Sequence, residues 1–462
     1  MDVHRLRKGL DVPISGVPVQ IIDPAPPITR VALLGADHPG LRARLAVTER
    51  DSVRRGELLF EDRTRLGVRF TSPGAGEVLA IHRGPRRALV SVVIRLSDAE
   101  RAGDPPDAEL AEFEAFRNVR DRGPESVDAA ALRALLLESG LWTALRTRPF
   151  GRVPPPGAAP HALFVNAMDT EPLAADPEVV LAERREEFEL GLHLVSKLCE
   201  GTTYLCVAAD SEVAAGVDAP VRLERFQGPH PAGLPGVHIH HLAPVSSERV
   251  VWTLGYQDVL AVAALFRSGR LPVERVIALA GPPLRRPRLV RSRLGASADE
   301  HVRGELDEGE VRVVSGSLLS GRRAMGEASG FLGRHHLQVS AVFEGRRREL
   351  FGFVRPGARR FSSFPVFASH WLRRGRFDFD TNTHGGRRHV VPIGQYERVM
   401  PMDILPTYLL RALLVEDVEQ AEKLGCLELD EEDVALLSFV CPSKIDYGPV
   451  LRRNLDLIEK QG

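Results

Sequence analysis

Lysine is nearly missing from this sequence: five residues (Lys8, Lys197, Lys423, Lys444 and Lys460) stand against fifty-six arginines in a chain of 462. Codon bias in a genome produces such an excess, and the arginine guanidinium also suits buried or interfacial pairing with carboxylates. Cysteine is scarce too. The four present, Cys199, Cys206, Cys426 and Cys441, show no CxxC spacing, which leaves neither a disulfide framework nor a zinc ribbon to organise the fold. A formal net charge of -1 excludes a long-range field that would gather nucleic acid or an anionic bilayer. Apolar runs such as residues 259–266 stop well short of the roughly 20 residues that cross a membrane, so no spanning segment is expected. The opening Met1-Asp2-Val3-His4-Arg5 has no apolar export signal, and the expectation is a cytoplasmic location.

What is present reads as several domains. At 44% hydrophobic content the chain has room for about three cores. Short β-prone runs at 31–34, 46–47, 58–60, 68–70, 77–81 and 89–94, separated by turn signals, predict a compact β barrel or sandwich over residues 1–100. Residues 101–160 turn helical, with Leu132, Leu135, Leu136, Trp142 and Leu145 at helical spacing and a break at Ser139-Gly140, then stiffen into a Pro-rich linker at 154–160. An α/β unit over 161–270 follows: strand 161–167, helix 183–198, strand 203–209, a strand at 237–242, and helix 256–268 capped by Gly269. Asp169, just past the first strand, stands where α/β folds place functional groups, although such a residue more often caps a turn. Residues 271–330 return to β structure at 273–279, 289–293 and 311–317. Within 331–400, further strands are expected at 336–344 and 349–354, around the turn Glu344-Gly345-Arg346, and the Arg/Gly-rich stretch 355–390 reads as a surface excursion or partner-binding segment. Residues 401–462 carry four helical patterns, 403–415, 417–424, 431–440 and 449–460, broken at Gly425 and Pro442.

The densest signal lies at 226–258, where Gly228, Gly233 and Gly236 alternate with Pro229, Pro231 and Pro235 before the run Val237-His238-Ile239-His240. On a strand His238 and His240 share a face, with His230 in the preceding loop, and a metal is one reading. Spacing fixes no third ligand, however, and hydrogen bonds to the loop's own carbonyls are favoured over a metal. Gly228 and Gly233 have P-loop spacing, but Leu234 and Pro235 replace the Lys and Ser/Thr that would hold phosphate and magnesium, and no GxGxxG occurs. Gly228, Gly233 and Gly236 are the positions expected to need a positive φ or a close backbone approach.

Taken together, Gly228-Pro229-His230-Pro231-Ala232-Gly233, His238-Ile239-His240, Trp252-Thr253-x-Gly255-Tyr256-Gln257-Asp258 and Gly394-x-Tyr396-Glu397-Arg398-Val399-Met400-Pro401 resemble the NqrA family, the A component of the sodium-translocating NADH:quinone oxidoreductase, and Lys8 to Gly16 resembles that family's opening. The resemblance implies a multidomain α/β and β fold: a barrel-sandwich-like N-terminal module, a Rossmann-like α/β unit, an SLBB β-grasp module and a C-terminal helical bundle. A biotinyl or lipoyl carrier needs an exposed lysine in the hairpin of its barrel-sandwich; residues 61–68 hold none, so a docking surface is the expectation for that module. The helical end of related electron-transport proteins carries four-cysteine iron–sulfur motifs. Cys426 and Cys441 cannot complete such a shell.

The resemblance further implies a peripheral chain that binds no cofactor itself, within a complex that uses NADH, FAD, FMN, riboflavin, iron–sulfur and ubiquinone to couple NADH oxidation to sodium export. Its partners would be the other subunits (B to F), on the cytoplasmic face of the bacterial inner membrane. The loop residues Gly228, His230, Gly233, Gly236, His238 and His240 are the candidates for proximity to quinone or a partner, with no catalytic group and no metal ligand assigned. The competing readings are a stand-alone flavin or NADH oxidoreductase built on the α/β unit, and a non-respiratory scaffold or binding module.

Overall fold

The computed structural model describes residues 3–346, 356–358, 360–363, 366–372 and 375–461, and the strand expected at 349–354 lies outside them. Nearest the N-terminus, a sheet of four strands (Arg30–Leu34, Leu89–Leu96, Gly76–Arg83, Ser52–Val53) faces a sheet of three (Ala43–Leu45, Leu58–Asp62, Arg69–Thr71). Every pairing within the two is antiparallel. Alternation directs Phe60, Val68, Phe70, Val78, Val92 and Ile94 into one core, which Leu59 joins at an irregularity in its strand's register, and Phe60 and Phe70 stack there at 4.6 Å.

The α/β unit has a six-stranded sheet in the spatial order Val3–Arg5, Arg222–Gln227, Thr202–Ala208, Ala162–Ala167, Val251–Gly255, Arg146–Arg148. All are parallel except the last, which runs antiparallel along one edge. Strand order reverses direction between Ala162–Ala167 and Val251–Gly255, and crevices at such a reversal are where open α/β sheets hold ligands. Helices Arg185–Ser196 and Tyr256–Ser268 cover one face. They approach so closely that a Cβ on Gly191 would meet the Val259 carbonyl at 2.3 Å. Gly269 ends the second helix in the left-handed conformation, as its sequence predicts. Trp142 and Trp252, both fully buried, meet edge to face at 5.4 Å, and the Trp142 indole donates to the Pro154 carbonyl at 2.8 Å. The Pro-rich stretch is thereby packed down as a domain edge.

The third sheet also has six strands, in the order Arg322–Arg323, Val311–Ser315, Gln338–Phe343, Glu274–Ala280, Arg288–Arg293, Val19–Pro24. The first 24 residues thus lend Val3–Arg5 to the α/β sheet and Val19–Pro24 to this one before entering the barrel-sandwich. Helices Gln395–Val399, Pro406–Leu414, Val418–Lys423, Ala435–Val440 and Gly448–Gln461 build a separate core around Leu409, Leu413, Leu437, Leu451 and Leu455.

Two sequence expectations fail, and the smaller is the run at 46–47, which follows the strand Ala43–Leu45 and is not itself a strand. Residues 237–242, read as a strand, belong to the helix Pro235–Leu242. Pro235 fits the first turn, where the missing N–H costs nothing. Val237 packs into the C-terminal helical core while Ile239 packs against the α/β sheet. A short helix buried on two sides shows no single apolar stripe, and its composition mimics alternation.

Arginine–carboxylate pairs join the modules. Arg293 and Arg55 both pair with the buried Glu100, Arg322 with Asp37, and Arg275 with Asp258. The largest cluster fastens the C-terminal helices. Asp430, wholly buried, meets Arg146 at 2.6 Å and also contacts Arg148 and Arg452. Burial disfavours the charged Asp430 carboxylate, and the Arg148, Arg146 and Arg452 guanidiniums outweigh it and hold the carboxyl well below its ordinary range. Asp430→Asn removes the one carboxylate that all three guanidiniums share and leaves them to Glu431, Glu432 and Asp433 alone, a change that costs up to about 3–5 kcal/mol. We expect a clear fall in the denaturation midpoint, against a near-neutral result for Asp98→Asn in the exposed pair with Arg101. Equal midpoints for the two variants would contradict a fastening role for Asp430.

Candidate functional site

The candidate loop lies at the carboxyl end of strand Ala162–Ala167, against the turn that follows it. Asn166 donates from Nδ2 to the Gly233 carbonyl at 2.9 Å and accepts the Met168 N–H at 3.1 Å. The Gly233 N–H donates to Thr170 Oγ1 at 2.9 Å, and Thr170 Oγ1 lies 3.2 Å from His230 Nδ1. From the N-terminal segment, Asp11 accepts the His230 N–H at 2.8 Å, and the His230 carbonyl accepts the Leu10 N–H at 2.8 Å. The strand end, the loop and the chain's first residues are thereby locked in one network.

Gly228, Gly233 and Gly236 are required for close approach. None adopts a positive φ. A Cβ would meet the Leu6 carbonyl at 2.7 Å from Gly228, the Thr170 nitrogen at 2.7 Å from Gly233, and an Asp433 carboxylate oxygen at 2.3 Å from Gly236.

The three candidate histidines part company. A helix turns residues two apart to opposite sides, so His238 and His240 do not share the face a strand would have given them. His238 is buried with Nε2 2.9 Å from the Ala232 carbonyl, one of the loop's own, as favoured over a metal. Its ring lies 4.2 Å from that of Phe226, and burial pushes its pKa down to about 3. His240 bridges to the helical domain: Nδ1 is 2.7 Å from Glu428, and Nε2 accepts the Asp403 N–H at 2.9 Å. His230 is fully buried, its pKa lowered by burial against the opposing charges of Glu171 and Asp11. Its Nε2 and Glu171 Oε2 are 4.0 Å apart, and neither has a hydrogen-bond partner. No group of three or more His, Cys, Asp or Glu could hold a metal ion among the described residues.

Sequence reading missed the residues that cover this crevice. The edge strand and the turn after it carry Arg146, Arg148 and Arg152; the helical domain answers the first two with Asp430, Glu432 and Asp433, Arg148 reaching Glu432 at 2.9 Å and Asp433 at 3.2 Å, and answers Arg152 with Asp456 and Glu459. The signal was available as a basic run at 146–152 facing an acidic run at 430–433, two segments that only the fold brings together. Cys426 and Cys441 are both buried, and Cys441 Sγ lies 3.1 Å from the Tyr396 hydroxyl. Burial pushes the Cys426 thiol up to about 12.

Asp169 accepts the Glu171 N–H at 2.8 Å, the turn-capping role. Its pKa is pushed up to about 7, first by burial and then by Glu171, with that N–H opposing. The folded chain therefore holds this proton more tightly than the unfolded chain, whose carboxyl titrates near 3.8. Asp169 contributes its full stability below that value and loses it as pH rises through about 7. Asp169→Asn should flatten the fall in melting midpoint between about pH 4 and 7. A slope identical to the parent's would show that Asp169 does not titrate there.

Three family models match the chain: the NqrA N-terminal barrel-sandwich hybrid domain over residues 4–97, the NqrA second alpha/beta domain over 127–271, and the NQRA C-terminal domain over 276–326. The A component of the Na(+)-translocating NADH-quinone reductase of Klebsiella pneumoniae (strain 342) is 52% identical over 458 residues, covering 99% of this chain and 100% of that one. The same components of Cellvibrio japonicus and Yersinia pestis are each 49% identical with the same coverage. Among solved structures, an NAD+-reducing [NiFe]-hydrogenase in the H2-reduced state matches 80% of this chain and 75% of its own at 16% identity and a TM-score of 0.41, too distant to carry an argument. Half-identity from end to end, with each of the first three modules matched in order, leaves one conclusion: the chain belongs to the NqrA family, the A component of the Na(+)-translocating NADH-quinone reductase.

Proposed function

We propose that this chain is the peripheral, structural A component of a sodium-pumping NADH:ubiquinone reductase, binding no redox cofactor itself and assembling with the other subunits (B to F) on the cytoplasmic face of the inner membrane. The observation that carries the reading is the end-to-end identity to A components of that enzyme. It is supported by the absence, among the described residues, of any helix long and apolar enough to cross a membrane. NADH, FAD, FMN, riboflavin, iron–sulfur and ubiquinone belong in this reading to the assembled complex. This chain supplies shape.

In the same reading the residues Gly228, His230, Gly233, Gly236, His238 and His240 form an internal joint, and they act on quinone or a neighbouring protein of the complex through the helical domain that the joint aims. His240 ties that domain directly to the loop's helix, through Glu428 and Asp403. Gly233→Val would overpack the Thr170 turn, a strain of about 1–3 kcal/mol that shifts the loop without unfolding a chain of this size.

The test is to carry an affinity tag on this chain, purify from membranes, and measure sodium-stimulated quinone reduction by NADH. The parent chain should bring down the membrane components with activity. Gly233→Val should bring down less complex, or complex of lower quinone-reductase rate, at a nearly parental melting midpoint. A chain that purifies alone and carries stoichiometric flavin would overturn the reading, and a stable, assembled and fully active Gly233→Val would remove the loop from it.

A further inference from the structure

One helix of the C-terminal domain is apolar on the side that faces solvent as well as on the side that faces the core. Residues 404–415 hold a single charge, Arg411, and no acid. Helix Pro406–Leu414 turns Leu409, Leu410 and Leu413, all fully buried, into the C-terminal helical core. On its other side Tyr408 is 62% exposed, and Leu405 and Val415, which flank the helix, are 60% and 75% exposed. With Arg411 these residues follow one another at spacings of three, three and four, which sets them in a stripe along one face. Leu414, partly exposed, widens the stripe. A surface helix normally carries charged and polar residues opposite its core face, and a helix that is apolar all round is normally buried all round.

Arg411 adds a second, independent observation. The cations around it are matched, Arg453 by Glu416 at 3.0 Å and Lys423 by Glu419 at 2.6 Å. Arg411 is exposed and has no carboxylate partner among the described residues. Tyrosine and arginine set among aliphatic side chains are the composition of an interface centre, where these two residue types carry a large share of the binding energy. Three occupants compete for such a stripe. A second copy of this chain, packed on it about a two-fold axis, would offer the same surface in return, and residues 404–415 bring no acid for Arg411. An anionic lipid surface would meet the exposed Asp403, Glu416 and Asp417 at the two ends of the stripe and be repelled by them. A protein surface that is apolar and carries one carboxylate suits both the stripe and its cation. The Asp403 N–H, two residues before Leu405, donates to His240, so the joint at the candidate loop also fixes where the stripe points.

We propose that Leu405, Tyr408, Arg411 and Val415 dock on an apolar protein surface of a neighbouring component of the reductase, with an Asp or Glu of that component opposite Arg411. The inference rests on the assembly reading above, and it adds the face through which the helical domain holds its neighbour.

The test uses the affinity-tagged full-length chain in membranes, with the photocrosslinker p-benzoylphenylalanine placed at Tyr408. Irradiation should join this chain to another component of the reductase, in a segment that carries an acid. Arg411→Glu should abolish that adduct and reduce the complex recovered several-fold at a parental melting midpoint, because the side chain is exposed. Exchanging the acid of the crosslinked segment for arginine should restore recovery with Arg411→Glu. A parent chain that recovers no membrane component overturns the assembly reading and this inference with it. A parent chain that recovers the complex, with Arg411→Glu recovered equally well or with adducts from position 408 only to a second copy or to lipid, overturns this inference alone.

Discussion

The Asp430 carboxylate, with no exposed surface and three guanidiniums around it, is the constraint on which the arrangement of this chain depends. An unpaired carboxylate could not be buried there, and it is the one acidic group that all three arginines share. Its partners come from both sides of the joint: Arg146 and Arg148 from the edge strand of the α/β sheet, and Arg452 from the last helix, which also donates to the Phe150 carbonyl at 2.7 Å. Arg152 extends the contact to Asp456 at 2.7 Å. The same chemistry recurs at Glu100 and Asp258, so the near-absence of lysine has a structural use in this fold. A planar guanidinium can serve two carboxylates at once, where an ammonium offers a point charge.

That joint has a consequence for function. The reversal of strand order beside Ala162–Ala167 would ordinarily open a ligand crevice. Here the loop at 228–236 hydrogen-bonds into the strand end, Gly236 admits Asp433 against its backbone, and the acidic run settles over the opening. The open α/β sheet keeps its reversal of strand order with the opening beside it occupied by another part of the same chain.

Much of the fold was legible because it is periodic and punctuated. Helix Tyr256–Ser268 could be bounded to the residue, since a continuous apolar helical pattern ends at Gly269. The barrel-sandwich strands, the third sheet and the C-terminal helices followed from alternation, turns and stripes. The site was less legible. Helix Pro235–Leu242 read as a strand because it is buried on two sides, and Val3–Arg5 gave no warning that its partner is Arg222–Gln227, more than two hundred residues away. The glycines were rightly singled out for close approach, yet what they approach, Leu6, Thr170 and Asp433, is supplied only by tertiary contact. Arg148 and Asp430 were invisible as a pair for the same reason: each run is ordinary alone.

A double-mutant cycle on that pair tests the account most directly. Arg148→Met, Asp430→Asn and the combination are compared by denaturation of the full-length chain. If the buried carboxylate fastens the helical domain through Arg148, the double variant is less destabilised than the sum of the singles, with a coupling energy toward the upper end of the roughly 0.5–3 kcal/mol seen for residues in one network. Additive effects of the two substitutions would contradict it.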